Sequence, residues 1–467
     1  MSIVKNILLN LPEVKRPEEK KLSFKQKLKW TSIILIAFFI LSVVPLFGLG
    51  QNALIQFEQL SIILGASFGS VLSLGIGPIV TASIVLQLLT GSGILKMDLT
   101  TSEGKRNFQG LQKILAIFFI IFESFIFVFM GGLAPELTLA PSAFLVMEFI
   151  LVFQLFLGGL MVLYMDEVVD KWGFGSGISL FIAAGVSSEL FIRAFSPLTS
   201  TGAFAFGTGQ PPVGALWVLI SSVLNQDVTG AAIAFFAIAF TIVVFLLAVY
   251  GQAMKVEIPL SFGRIRGYGI RWPLRFIYTS NIPVILVAAF LANVQLLARL
   301  LERWGHPWLG TFAGNTPVSG LVAWVNSPNL VLNIITGQFT LSNVGHALVY
   351  MLFMVGGSIL FSIFWVHTAG MDAKSQAKQI MASGLQIPGF RRDIRVLERL
   401  LSRYIGPLTI MGAVAVGVLA ATADLTGALS RGTGILLAVM IIYRLYEDIA
   451  QQHMVDMYPA LRNIMQK

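Results

Sequence analysis

The chain has 467 residues and a formal net charge of +9, with 56% of residues hydrophobic and only 12% charged. So little charge cannot cover a soluble protein of this length, and the apolar residues gather into blocks close to the roughly 20 residues needed to cross a bilayer. The absence of cysteine excludes disulfides, thiolate metal sites and thiol nucleophiles.

The first 30 residues are studded with charge, including Lys15, Arg16, Glu18, Glu19, Lys20 and Lys21, and no small-residue cleavage site follows the first apolar block. No secretory signal peptide is expected there. Val4, Ile7, Leu8 and Leu11 recur at helical spacing, which fits either a surface amphipathic helix or a solvated tail. Ten blocks then qualify as membrane spans: 31–48, 74–95, 108–132, 142–164, 176–196, 229–254, 276–298, 345–369, 404–424 and 432–452. Two more apolar stretches, 52–66 and 213–224, are too short or broken to span and must meet protein, water or the interface.

Charge orients the spans. With the N-terminus cytoplasmic, 28 of the 32 Lys and Arg fall on the cytoplasmic side, and Arg193, Arg299, Arg303 and Arg431 fall outside. Trp30, Trp172, Trp272, Trp304 and Trp308 lie in loops or at span edges, where amphipathic rings settle. Ten spans divide into five and five. Two consecutive halves with an odd number of spans are inverted relative to each other, as in many transport proteins. The predicted fold is therefore all-α, a polytopic membrane protein of ten transmembrane helices in two inverted five-helix halves.

Sequence signals for catalysis are weak. His306, His346, His367 and His453 show no metal-ligand spacing. GASFG at 65–69 matches G-x-S-x-G but lacks the strand and helix of a nucleophile elbow. No Walker motif is present. An enzyme is not expected, nor a metal or other cofactor. Glu123 and Glu148 are the chief charges in the middle of spans. They fit an ion site of a coupled carrier or pairing with a polar group on a neighbouring helix, and the second is favoured.

Three segments depart from what a lipid-facing helix needs. In 74–89, LGIGPIVTASIVLQLL, Gly75, Gly77 and Pro78 break an apolar run, so a helix should begin near Pro78. The others are 166–185, DEVVDKWGFGSGISLFIAAG, and 280–285, SNIPVI, with Asn281 and Pro283 inside the seventh span. A buried asparagine calls for a partner on an adjacent helix.

These segments resemble SecY, the large subunit of the Sec protein translocase. The resemblance extends through EIPLSFGRIRG (257–267), FIYTSNIPVILVAAFLANVQL (276–296), FWVHTAGMDAKSQAKQI (364–380), IPGFRRD (387–393) and GTGILL (432–437), with loops closer to the archaeal and eukaryotic branch. It implies a channel in the cell membrane, both termini cytoplasmic, that passes secretory polypeptides across and releases membrane segments sideways into lipid. It divides the chain into a cytoplasmic segment 1–30, an N-terminal half 31–200 with a short plug half-helix at about 52–67, an external hinge 201–228, a C-terminal half 229–455 with cytoplasmic loops 255–275 and 370–403, and a tail 456–467.

The resemblance also implies site residues. Ile76, Val80, Ile178, Ile182, Ile285 and Leu437 match an apolar pore ring. The first two pairs are spaced i,i+4, so each can line one helix face, although such residues are by themselves ordinary packing. An apolar ring bars water and ions by dewetting without binding a passing chain. Thr81, Gln112 and Asn281 match a polar cluster at a lateral gate. Arg264, Arg266, Arg391 and Arg392 match ribosome-docking loops, and positive-inside orientation alone would also place such charges. Lys255 and Glu257 depart from the family pattern, which is more basic just before the IPL motif. The implied partners are SecE-like and Sec-beta-like small subunits, the ribosome, signal sequences and nascent polypeptides, and membrane lipid. An ion-coupled solute carrier shares the inverted repeat and broken helices but needs a polar site at mid-membrane instead of an apolar ring.

Overall fold

A computed structural model describes residues 12–18, 22–50, 69–91, 94–95, 97, 101–129, 133–136, 140–199, 203–205, 210–262, 269–279, 282–313, 316–382, 385–386, 393–430 and 432–457. The expected surface helix at 4–11, the plug at 52–67, most of the 65–69 motif, and Asn281, Arg264, Arg266, Arg391 and Arg392 lie outside the described residues.

The N-terminal half contributes α1 (Phe24–Val43), α2 (Gly77–Gly91), α3 (Ser102–Phe129), α4 (Pro141–Trp172) and α5 (Gly177–Phe195). After the short α6 (Ala215–Leu224), the C-terminal half contributes α7 (Val228–Ala253), α8 (Ile282–Arg303), two single-turn helices α9 (Gly320–Val325) and α10 (Leu330–Ile335), α11 (Leu341–Thr368), α12 (Ala373–Ala382), α13 (Ile394–Leu425) and α14 (Gly432–Met457). Among the described residues, eight helices are long and apolar enough to cross a membrane. The other two of the ten are α2, shortened by the turn before it, and α14, whose far end carries Arg444, Glu447 and Asp448. The ten-residue α6 spans about 15 Å, half a bilayer core, and packs along α7.

Several helices overrun the span limits expected from hydropathy. α1 starts at Phe24, α3 at Ser102 and α13 at Ile394, while α4 continues to Trp172. Hydropathy registers only the lipid-length part of a helix, and the excess here is polar. Local caps set the true ends. Ser23 Oγ accepts from the Gln26 N–H while Gln26 Oε1 accepts from the Ser23 N–H, a capping box that starts α1 in polar sequence. The seventh span is shifted the other way: α8 begins at Ile282, so Pro283 sits in its first turn, where proline is tolerated, and not inside the helix. Residues 276–279 turn instead, held by the Phe276 N–H on Met254 O (2.9 Å) and the Tyr278 hydroxyl on Met371 O (2.7 Å).

The loop layer is not purely helical. β1 (Lys255–Phe262) and β2 (Gly269–Arg275) form an antiparallel hairpin with Ile258 opposite Trp272, and β5 (Leu385–Gln386) adds to β1. Alternation explains the hairpin: Ile258 and Leu274 point into a cluster with Val366, Ala377, Leu397, Leu401 and Ile405, while Glu257 and Arg271 point outward and pair. A second hairpin, β3 (Phe312–Ala313) with β4 (Thr316–Pro317), lies between α8 and α9.

Across the middle of the bundle the two halves pack on each other. α2 packs on α8 and α11, and α5 packs on α14.

Candidate functional site

The turn before α2 sets the first part of the site. Gly75 adopts φ +53, and the Gly75 N–H donates to Leu72 O (2.8 Å), which lets the chain turn tightly into a helix starting at Gly77. Ile76 is thereby delivered at the tip of the turn. From α5 come Ile178 and Ile182, one turn apart; from α8 comes Ile285; from α14 comes Leu437. Ile182, Ala183, Leu437 and Ile441 form one buried apolar cluster, and Ile76, Ile178, Val186 and Ile285 pack against it. Five of the six expected ring residues therefore share one cluster. Val80 lies one turn along α2 in the adjoining cluster, against which Ile76, Ile178 and Ile285 also pack.

Cavities lie on both sides of this cluster. One, of about 480 Å³, opens toward the face that carries the β1–β2 hairpin and is lined by Val80, Gln87, Ser179, Ile285, Trp365, Arg444 and Asp448 among others. The other, of about 270 Å³, is lined by Arg193, Leu291, Gln295, Tyr350, Asp424 and Thr433 among others. The order along the helices is consistent. α5 lines the first cavity at Ser179 and the second at Arg193, with Ile182 between. α14 lines the first at Arg444 and the second at Thr433, with Leu437 between. α8 passes from Ile285 to Leu291 and Gln295. The cluster is the waist of an hourglass. Above it, the Tyr350 hydroxyl donates to Asp424 Oδ2 (2.6 Å), and Arg193 donates to Leu429 O (3.0 Å).

A polar seam runs where α2 meets α8 and α3. Asn293 Nδ2 donates to Thr81 Oγ1 (3.0 Å), and that hydroxyl lies 2.9 Å from Gly77 O and 3.3 Å from Glu123 Oε1. Glu123 is buried, so the hydroxyl is a needed partner. Gln112, expected beside Thr81, instead donates to Ser83 Oγ (2.7 Å), two residues further along α2. The sequence reading missed Asn293, and depth explains why. Asn293 stands 11 residues, about 16 Å at 1.5 Å rise per residue, beyond Ile282, the first residue of α8, whereas the expected Asn281 precedes the helix in sequence. The signal was a lone asparagine in an apolar span. Glu123 has the helix partner expected of it, whereas Glu148 has none among the described residues.

A family model described as SecY matches residues 70–446. The protein translocase subunit SecY of Methanothermobacter thermautotrophicus is 46% identical over 459 residues, covering 97% of this chain and 96% of the relative. The chain belongs to the SecY family. Solved structures agree with that membership. A structure described as a protein-conducting channel superposes with a TM-score of 0.79 at 40% identity, covering 97% of this chain and 98% of its own. Sec61 in the canine ribosome–channel complex from the endoplasmic reticulum superposes with a TM-score of 0.77 at 40% identity, with the same coverage. As a SecY protein, the chain is a ten-helix polytopic membrane protein and the central subunit of a protein-conducting channel for polypeptide translocation.

Proposed function

We propose that the waist formed by Ile76, Val80, Ile178, Ile182, Ile285 and Leu437 is the ring through which this SecY protein passes secretory polypeptides. One observation carries the reading: three helices each line a cavity, then the apolar waist, then a second cavity. An apolar constriction between wet funnels sheds water when closed and offers a moving chain no specific bond. Segment 52–67 would add a plug, and 201–228 would hinge the halves 31–200 and 229–455. The Thr81, Glu123 and Asn293 seam is the lateral gate, with Gln112 and Ser83 continuing it and Asn281 at its base. Its polar contacts hold α2 against α8 until a signal sequence wedges between them and releases its apolar helix into lipid.

The chain would lie in the plasma membrane with both termini cytoplasmic, as the Lys and Arg distribution supports. Arg264, Arg266, Arg391 and Arg392 would dock the ribosome through its phosphates, and SecE-like and Sec-beta-like subunits would brace the halves. The channel would do no chemistry of its own and need no cofactor. A coupled-ion carrier is less well supported, since Glu123 already serves Thr81 and the waist is apolar.

The test is planar-bilayer conductance of the reconstituted complex without substrate. Ile182→Asn places a wettable amide at the waist and should raise conductance roughly tenfold or more, the factor that ~1.4 kcal/mol of lost closed-state preference gives. A variant as tight as the parent would remove Ile182 from the seal.

A further inference from the structure

The ring helix α5 starts without a cap of its own. Its N-cap residue, Ser176, makes no side-chain bond to the helix. The first backbone N–H groups of a helix lack intrahelical acceptors and need partners elsewhere. Here the acceptor comes from the preceding helix. Asp166 Oδ1, on α4, accepts from the Ile178 N–H at 2.7 Å. The Gly177 N–H faces the same carboxylate and that of Asp170.

The approach is as close as backbone permits. A Cβ on Gly177 would stand 2.6 Å from Asp166 Cα and 2.7 Å from its Oδ1. The rest of the turn is held from α1: the Phe174 N–H donates to Thr31 Oγ1 (3.0 Å), and Trp172 lies against Trp30 with the rings tilted, centroids 5.6 Å apart. Ile178, whose N–H the carboxylate holds, packs against three separate clusters: the waist, the C-terminal-half core and the N-terminal-half core. A shift of its backbone is therefore felt at the seam between the halves.

We infer that Asp166 is a positioning residue of the channel, which fixes the height and direction of α5 so that Ile178 and Ile182 close the waist. The role needs an acceptor oxygen at that point. A carboxylate there also suits the positive end of the helix dipole. The inference rests on the ring reading above.

Substrate-free conductance of the full chain, reconstituted with its small subunits, tests it alongside thermal stability. Asp166→Leu keeps the bulk and removes the acceptor, and should raise conductance roughly tenfold, as the loss of one charge-assisted bond from the closed state allows. Asp166→Asn keeps an oxygen in place and should seal within about twofold of the parent. Gly177→Ala pushes α5 off the same carboxylate from the other side and should also leak, which keeps the test open if Asp166→Leu does not fold. Ile182→Asn is the control. If it leaks while folded Asp166→Leu and Gly177→Ala stay sealed, the ring stands and the positioning role falls. Lower melting temperature with unchanged conductance would assign Asp166 to folding alone and overturn the inference. So would Asp166→Asn leaking as much as Asp166→Leu. If Ile182→Asn itself stays sealed, the ring reading fails and the positioning role with it.

Discussion

At the waist, Ile76, Ile178, Ile182, Ile285 and Leu437 meet from four parts of the chain without a polar side chain among them. At the hairpin face, Lys255 and Arg271 flank Glu257 at 3.4 and 3.2 Å, and the guanidinium stays in water. On the proposed reading, the first region works by removing water and the second by keeping it. One change at the waist therefore alters a wetting equilibrium shared by several residues, whereas one change at the hairpin face alters a local, screened field. Effects at the waist should be large, coupled and insensitive to salt. Those at the hairpin face should be small, separable and salt-dependent.

The strongest way to break this contrast is a double substitution at the waist. Ile182→Asn and Leu437→Asn should each raise resting conductance roughly tenfold, and together by less than the product, because one amide already wets the constriction they share. Independent multiplication in bilayer recordings would mean that the two residues seal different places.

The seam lies between the extremes, polar yet buried. Asn293→Leu removes a donor from Thr81, and a hydrogen bond between membrane helices is worth about 1 kcal/mol. Opening should become roughly fivefold easier by that amount. Precursors with weakened signal sequences should then be translocated at visibly higher yield in reconstituted vesicles. Unchanged selectivity would show that the seam is packing and not a gate.

In the loop 370–403, reversing Arg391 and Arg392 to Glu should weaken ribosome binding without unfolding the channel, and the parent's affinity should fall as salt rises. Equal affinity in co-sedimentation would leave those charges only an orienting role. The smallest effect is acid loosening of the hairpin. Hydrogen bonds from Arg271 and Lys255 hold the Glu257 carboxyl below the usual carboxylate range. The contribution of this pairing is present above that range and is lost as pH falls through the lowered value. Hydrogen exchange of the β1 amides should therefore be flat near neutrality and quicken only in acid. Loosening at neutral pH would contradict the sign.

Much of the architecture was legible because hydropathy and charge act over whole spans. The five blocks of each half appear as helices, and 213–224 is too short to cross. What was hidden depended on depth and on local closure. Asn293 meets Thr81 only because α8 starts at Ile282, a boundary fixed by the turn at 276–279 and not by the apolar run. The β1–β2 hairpin alternates with period two in a loop that the sequence marks chiefly by its charge, so strands went unread. The i,i+4 spacing of Ile178 and Ile182 was visible. Their meeting with Leu437, more than half the chain away, followed only from family resemblance, since spacing along one helix does not say what faces it.

The central claim is that a polypeptide passes through this waist. The chain contains no cysteine, so single cysteines can be introduced without background. A secretory precursor carrying one cysteine and stalled midway in the reconstituted channel should form disulfides with cysteines placed at 76, 178, 182, 285 or 437. It should form none with cysteines at Phe118 or Leu352, which lie exposed on the outer surface of the bundle. Cross-linking at the outer positions equal to that at the waist would contradict the account.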